Sequence, residues 1–300
     1  MVPPPVPGSI KFDSILNVRD VGLFTNAMSG KHRMKPGLLF RAARPDFASP
    51  SDRDTLQSTL KIHTILDLRS KTEKLQLATH NSPPPPSPFP QETNPILPPA
   101  TPSPPPPLPI TTLPIPLNGP LFQLRLISLL PFLSILRLIT LYLLGQRLPA
   151  IRILAAAMAP RGLTGLATDS LLSSWREMRS IFTALAQEEN WPVMVHCTQG
   201  KDRTGLVVLL LELLCGVEEG ACERDYLASE QGLEGEREER IREIEEVGMP
   251  REWVDCEKGW VGRVKRFIEG RWAGVEGYLA WCGVREGEVE SVKRILLAER

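Results

Sequence analysis

The sequence lacks acid where it is richest in apolar residues. From Thr93 to Thr168 there is no aspartate or glutamate, only Arg125, Arg137, Arg147, Arg152 and Arg161. Elsewhere acid makes up the difference, and 35 basic and 35 acidic residues cancel to a formal net charge of zero. Bulk charge therefore offers nothing for nucleic-acid binding. The five cysteines, Cys197, Cys215, Cys222, Cys256 and Cys282, are odd in number and widely spaced. With no CxxC pair there is no sign of a zinc site or a dithiol redox site, and His32, His63 and His80 show no ligand spacing. "MVPPPVPGSI" has neither the basic start nor the apolar core of a secretory signal. The expectation is free thiols in a reducing, cytoplasmic setting, with the four cysteines other than Cys197 serving as packing residues.

A chain of 300 residues with an ordinary apolar share suits one domain with insertions. Residues 1–9 read as a loose proline-rich arm and 10–300 as a single domain. Within it, 49–60 predicts a short helix capped by Ser49 or Ser51, and Thr64 to Leu68 a buried strand. Residues 81–120 are dense in proline, which lacks an N–H and fixes φ. They read as an extended insertion whose PxxP spacings also suit SH3- or WW-type partners. Leu121 to Leu144 would run about 36 Å as one helix, enough to span a bilayer. Arg125, Arg137 and Pro131 interrupt it, which favours a pair of apolar helices across 121–159. These would lie over the domain as a lid or rest peripherally on a membrane surface. Leu171, Leu172, Trp175, Met178, Phe182 and Leu185 share one helical face. "WPVMVHC" reads as a strand and "TGLVVLLLELLCGV" as a buried helix. More helices follow, from about Glu223 and over 234–247, 258–270, 273–282 and 286–298. The acidic run "EGEREERIREIEE" reads as a solvated helix face. The class is α/β with a helical C-terminal half.

The chemistry concentrates in "VMVHCTQGKDRTGLVV", residues 193–208. Amides at a helix start have no internal partner, and the helix dipole adds positive potential there. A turn that curls such amides inward cradles an anion, and Gly200 lets the backbone bend. Arg203 offers a planar fork for two phosphate oxygens. Those groups favour the thiolate form of Cys197, a nucleophile beneath the same cradle.

"HCTQGKDRTG" resembles the phosphate-binding loop HCxxGxxR[ST] of cysteine-dependent tyrosine phosphatases. Its "GKDRTG" ending resembles the atypical tyrosine/serine protein phosphatases of bacteria and fungi. "NVRDVG", "PGLLFRAARP", "TILDLRS", "RDYLASEQGL" and "GYLAWCGV" are similar to further elements of that family, in the same order. The resemblance covers about residues 12–80 and 160–298. It implies a tyrosine-phosphatase-like central sheet flanked by helices, and catalysis without metal or cofactor through a phosphocysteine. Cys197 would be the nucleophile and Arg203 the phosphoryl grip. The amides of Thr198, Gln199, Gly200, Lys201, Asp202 and Arg203 would stabilise the equatorial oxygens, and Thr204 would donate to the sulfur. His196 would buttress the loop. No "WPD" triplet supplies the proton; Asp202, inside the loop, takes that role, and Lys201 adds charge for polyanionic substrates. Asp67 and Arg69 end a strand expected beside the Cys197 strand. They either support the same face or form a structural ion pair.

Two functions follow from these residues. One is a phosphomonoester hydrolase acting on phosphotyrosine, phosphoserine/threonine or phosphoinositide. The other is a pseudophosphatase that binds phosphorylated ligands without turnover.

Overall fold

The computed structural model describes residues 6–70, 73–74 and 109–298. Most of the proline-rich tract, including its PxxP spacings up to residue 108, and residues 1–5 of the arm lie outside them.

Strands β1 (Arg19–Asp20), β2 (Leu39–Ala42), β3 (Thr64–Asp67), β4 (Thr111–Pro114) and β5 (Val193–His196) form one sheet in the order β1-β2-β5-β3-β4. All pairings are parallel except β1 with β2. The central row aligns Phe40, Met194 and Ile65. Successive side chains of a strand point to opposite faces, and both faces here are covered. Leu39, Leu66, Val193 and Val195 join the larger core, together with Cys197 and the buried helix that follows it. Phe40, Ala42, Ile65 and Met194 join a smaller core with Ile15, Val18, Ala48, Leu56 and Ile62. Burial on both sides is why β5 reads as an apolar run from Val193 to Val195 before His196. The architecture is mixed α/β, a five-stranded sheet flanked by helices, as the sequence pattern implies.

Helices α1 (Val21–Ser29) and α2 (Pro50–Asp54) lie between the early strands. Ser49 caps α2 in a reciprocal capping box with Asp52. After β4 come α3 (Pro120–Ser128), α4 (Phe132–Leu143), α5 (Arg147–Met158), α6 (Gly162–Ser173) and α7 (Trp175–Leu185). Leu171, Met178, Phe182 and Leu185 are buried and Leu172 and Trp175 half-buried, but the one helical face expected of them is split at Ser174, with Leu171 and Leu172 on α6 and the rest on α7. The central helix α8 (Asp202–Leu214) has every residue from Leu206 to Leu211 buried, so no periodicity marks it. The C-terminal half adds α9 (Glu219–Gly232), α10 (Arg237–Glu246), α11 (Trp260–Trp272), α12 (Val275–Cys282) and α13 (Glu286–Leu296).

Four further local expectations change. Residues 6–9 are not loose: Ser9 bridges Arg19, and the Asp20 amide donates to the Gly8 carbonyl. The proline-rich tract ends in a strand, β4, because prolines are tolerated at a sheet edge. The amides of Thr111 and Ile115 bond inward to β3, while Pro114, with no N–H to give, falls at the alternate, outward position. The apolar stretch forms three helices rather than a pair. The break at Pro131 is there, and Gly145 (φ 71) makes the second. Among the described residues no helix is long and apolar enough to cross a membrane. Finally, α10 is not wholly solvated. Arg240 and Ile241 are buried, and Ile244 faces the cavity described next.

Candidate active site

β5 delivers Cys197 to the C-terminal edge of the sheet, and α8 starts five residues later. The connecting turn lies tightly on the end of β2. Gly200 has φ 65, and a Cβ there would sit 2.1 Å from the Ala42 carbonyl oxygen, so no other residue fits.

The turn is held by its carbonyls. Asn17 Nδ2 donates to the carbonyls of Gln199 (3.2 Å) and Gly200 (3.1 Å). Arg41 Nη2 donates to those of Gly200 (2.8 Å) and Lys201 (3.2 Å). In a trans peptide the carbonyl and the following N–H point opposite ways. Tying those three carbonyls down therefore aims the amides of Gly200, Lys201 and Asp202 the other way. No backbone acceptor among the described residues takes them. Arg41 is in turn fixed by the Asp225 carboxylate, which also accepts from Arg19 Nε at 2.7 Å; all three side chains are buried.

Arg203, at the second position of α8, pairs with Glu73. Nη1 donates to Oε2 at 2.8 Å and Nη2 to Oε1 at 2.5 Å. Glu73 also accepts from Thr198 Oγ1 at 2.8 Å. Burial alone would raise the Glu73 pKa, but Arg203 outweighs it and holds the carboxyl down at about 2. Burial likewise works against the Arg203 charge, and Glu73 more than restores it, so the guanidinium pKa rises. A guanidinium carries five N–H bonds. Glu73 takes one from each terminal nitrogen, and the Leu68 carbonyl lies 3.4 Å from Nη1. The edge formed by Nε and Nη2 stays free among the described residues, and two N–H bonds side by side match two phosphate oxygens.

Asp202 is the first residue of α8, and its side chain does not cap the helix. Its Oδ1 is buried without a hydrogen-bond partner among the described residues, 3.6 Å from Lys201 Nζ. Lys201 turns away from the cradle. Its ammonium is fully buried and donates to the carbonyls of Trp253 (2.8 Å), Val254 (3.3 Å) and Asp255 (2.6 Å). Its charge anchors the 253–255 loop instead of facing a ligand. The Thr204 hydroxyl is fully buried with no partner among the described residues.

Cys197, Thr198, Gln199, Asp202 and Arg203 form the polar side of a cavity of about 480 Å³. Phe122 and Leu126 of α3, Ile151, Leu154, Ala155 and Met158 of α5, and Leu166 wall it on one side. Ile244, Val247, Met249 and Trp253 complete the apolar lining. The arrangement offers an anion cradle over a cysteine at the bottom of a greasy pocket.

A family model described as the tyrosine phosphatase family matches residues 10–298. The chain belongs to the tyrosine phosphatase family. Its similarity to individual members is low. A tyrosine-protein phosphatase of Nostoc commune is 29% identical over 126 residues, 39% of this chain and 43% of that protein. The triple specificity protein phosphatase PtpB of Mycobacterium tuberculosis is 26% identical over 137 residues, 41% of this chain and 49% of that protein. A Cupriavidus necator protein, provisionally named a tyrosine-protein phosphatase, is 24% identical over 274 residues, 90% of this chain and 82% of that protein. The matched stretch thus spans about half the length of the Nostoc and mycobacterial relatives.

In this tyrosine phosphatase family member the supporting residues divide by sheet face. Cys197 follows the larger-core face, whereas His196 and Asp67 alternate onto the other. Asp67 and Arg69 form a buried structural pair: Arg69 Nε and Nη2 donate to Asp67 at 3.0 and 2.9 Å, and the same guanidinium holds Asp46. Neither lines the cavity. His196 Nδ1 lies 3.1 Å from the Cys197 carbonyl, which can only accept, so the proton sits on Nδ1. Burial pushes the imidazole pKa down to about 4, with Asp67 only partly offsetting it. The ring is neutral at physiological pH and acts as a brace for the backbone under Cys197.

That depression has a consequence for stability. The unfolded imidazole takes a proton near its ordinary value of 6.5 and the folded one only near 4. The unfolded state therefore binds more protons in that window, and stability falls as pH drops from 6.5 to 4. Urea unfolding at closely spaced pH values should show this decline, and His196→Gln should flatten it. An unchanged decline in the variant would assign it to other groups.

Sequence reasoning missed Glu73, Arg41, Asp225 and Arg240. The first three sit in or beside stretches that resemble the family, and Glu73 lies four residues beyond Arg69. Arg240 Nη2, donating to Gln199 Oε1 at 3.1 Å, lay hidden in the acidic run. The four cysteines outside the cradle are packing residues. Burial pushes the thiols of Cys215, Cys256 and Cys282 up to about 12, which keeps them protonated and unreactive.

Proposed function

We propose that this chain is a cysteine-dependent phosphatase that hydrolyses phosphomonoesters, aryl phosphates such as phosphotyrosine foremost. The observation that carries the reading is the free Nε–Nη2 edge of Arg203 in the same cavity as Cys197. The apolar walls suit an aromatic ring behind the phosphate.

In the first step the Cys197 sulfur attacks phosphorus and the P–O bond to the leaving group breaks. Asp202 gives its proton to the departing oxygen. The outward amides and Arg203 carry the charge that builds on the equatorial oxygens. In the second step water attacks the phosphocysteine and passes its proton to the Asp202 carboxylate. The P–S bond breaks, inorganic phosphate leaves and the thiolate returns. The unpartnered Thr204 hydroxyl is available to the departing sulfur. Buried, unpaired thiols suit a reducing, cytoplasmic setting.

The test is phosphate release by purified protein from an aryl phosphate, phosphoserine and phosphoinositides. Wild-type turnover should resist chelators and stop with vanadate, and Cys197→Ser should abolish it. Asp202→Asn should slow esters with poor leaving groups far more than nitrophenyl phosphate. Turnover surviving in Cys197→Ser sinks the mechanism. Tight phospholigand binding with no wild-type turnover would leave a binding module in its place.

A further inference from the structure

Helix α4 has no buried residue, although it is the most apolar of the helices outside the core. Its outward stripe, Phe132, Leu136, Ile139 and Leu143, follows helical spacing. Phe132 is 77% exposed and Leu143 80%, and Leu133, Tyr142 and Leu144 beside them are also exposed. Only the opposite side, Ile135, Leu138 and Leu141, is half-buried. A contiguous apolar patch of this kind marks an interaction surface.

Charge says what covers it. Within the acid-free stretch, Arg125 and Arg161 both pair with buried Asp169, and Arg152 donates to the Glu246 carbonyl. The Arg137 and Arg147 side chains are exposed and make no ion pair or hydrogen bond among the described residues. The patch is thus leucine-rich, flanked by free cations, and has no carboxylate of its own stretch to repel an anionic surface. On an anionic lipid surface the apolar stripe can be buried at the acyl boundary while the two arginines meet the headgroups.

We propose that α4 docks this chain on an anionic phospholipid surface, lying in the interface with Phe132, Leu136, Ile139 and Leu143 among the acyl chains and Arg137 and Arg147 at the headgroups. Docking does not depend on catalysis, since none of these residues lines the cavity.

The test is co-sedimentation of the full chain, carrying Cys197→Ser so that turnover plays no part, with phosphatidylcholine vesicles alone or containing phosphatidylserine. The chain should bind the anionic vesicles preferentially. Leu136→Glu with Leu143→Glu should weaken that binding by at least about tenfold. Arg137→Gln with Arg147→Gln should weaken it about tenfold on anionic vesicles only. Far-ultraviolet circular dichroism should match the parent for every variant. The same double substitutions in the chain with Cys197 intact should leave hydrolysis of a soluble aryl phosphate unchanged. No vesicle binding overturns the proposal, whether α4 then proves to be covered by a second copy, by a protein or by the chain's own proline-rich tract. So does binding that the substitutions leave intact.

Discussion

Arg203→Lys should lower kcat/KM on an aryl phosphate by about 10²–10³-fold, the scale of losing one aligned transition-state donor. The substitution keeps the positive charge and removes the fork. An ammonium is a point charge with three rotatable donors, and the carboxylate of Glu73 beside it would draw those donors to itself. In the wild type Glu73 takes the outer N–H bonds and leaves the Nε–Nη2 edge in a fixed plane. In the variant the side chain no longer presents two fixed donors at phosphate spacing. The fold should change little, because the lysine keeps a positive charge beside the Glu73 carboxylate. Steady-state kinetics with a parallel denaturation curve separates the two effects. A catalytic loss under tenfold would remove Arg203 from the phosphoryl grip.

The loop itself was legible because its chemistry is local. Cys197, Gly200 and Arg203 lie within seven residues, and strand and helix on either side follow from apolar patterning. What holds the loop was not legible. Asn17, Arg41 and Asp225 come from separate elements, and no spacing in the chain says that β2 would place a guanidinium under Gly200. Lys201 shows the converse: its neighbours in sequence suggested a ligand contact, while three carbonyls more than fifty residues away claim its ammonium. The Ile244 side of α10 was masked by the density of charge around it, since two apolar residues, Ile241 and Ile244, in ten are a weak signal against so many charged neighbours. β4 was missed because composition outvoted position; proline excludes a central strand but not an edge.

Asp225→Asn should destabilise the fold by about 3–5 kcal/mol, the cost of leaving buried charge uncompensated. Asp225 answers two guanidiniums at once, Arg19 and Arg41, and all three side chains are buried. The amide cannot neutralise either one. Against a typical total of about 5–15 kcal/mol this is a large fraction, and urea midpoints would register it directly. Burial disfavours the Asp225 carboxylate, yet Arg19 and Arg41 outweigh it and hold its pKa below the ordinary value of 3.8. A carboxyl depressed on folding contributes stability above its unfolded pKa, and loses it only as pH falls through the folded value. The difference between wild type and variant should therefore stay level from pH 5 to pH 8, unlike the His196 contribution, which fades from 6.5 downward. Activity should fall further than the folded fraction. Arg41, no longer fixed by a carboxylate, also holds the carbonyls of Gly200 and Lys201, and if they swing the amides above them lose their aim. A variant that stays fully folded at low temperature yet turns over at the wild-type rate would break the link from Asp225 through Arg41 to the cradle.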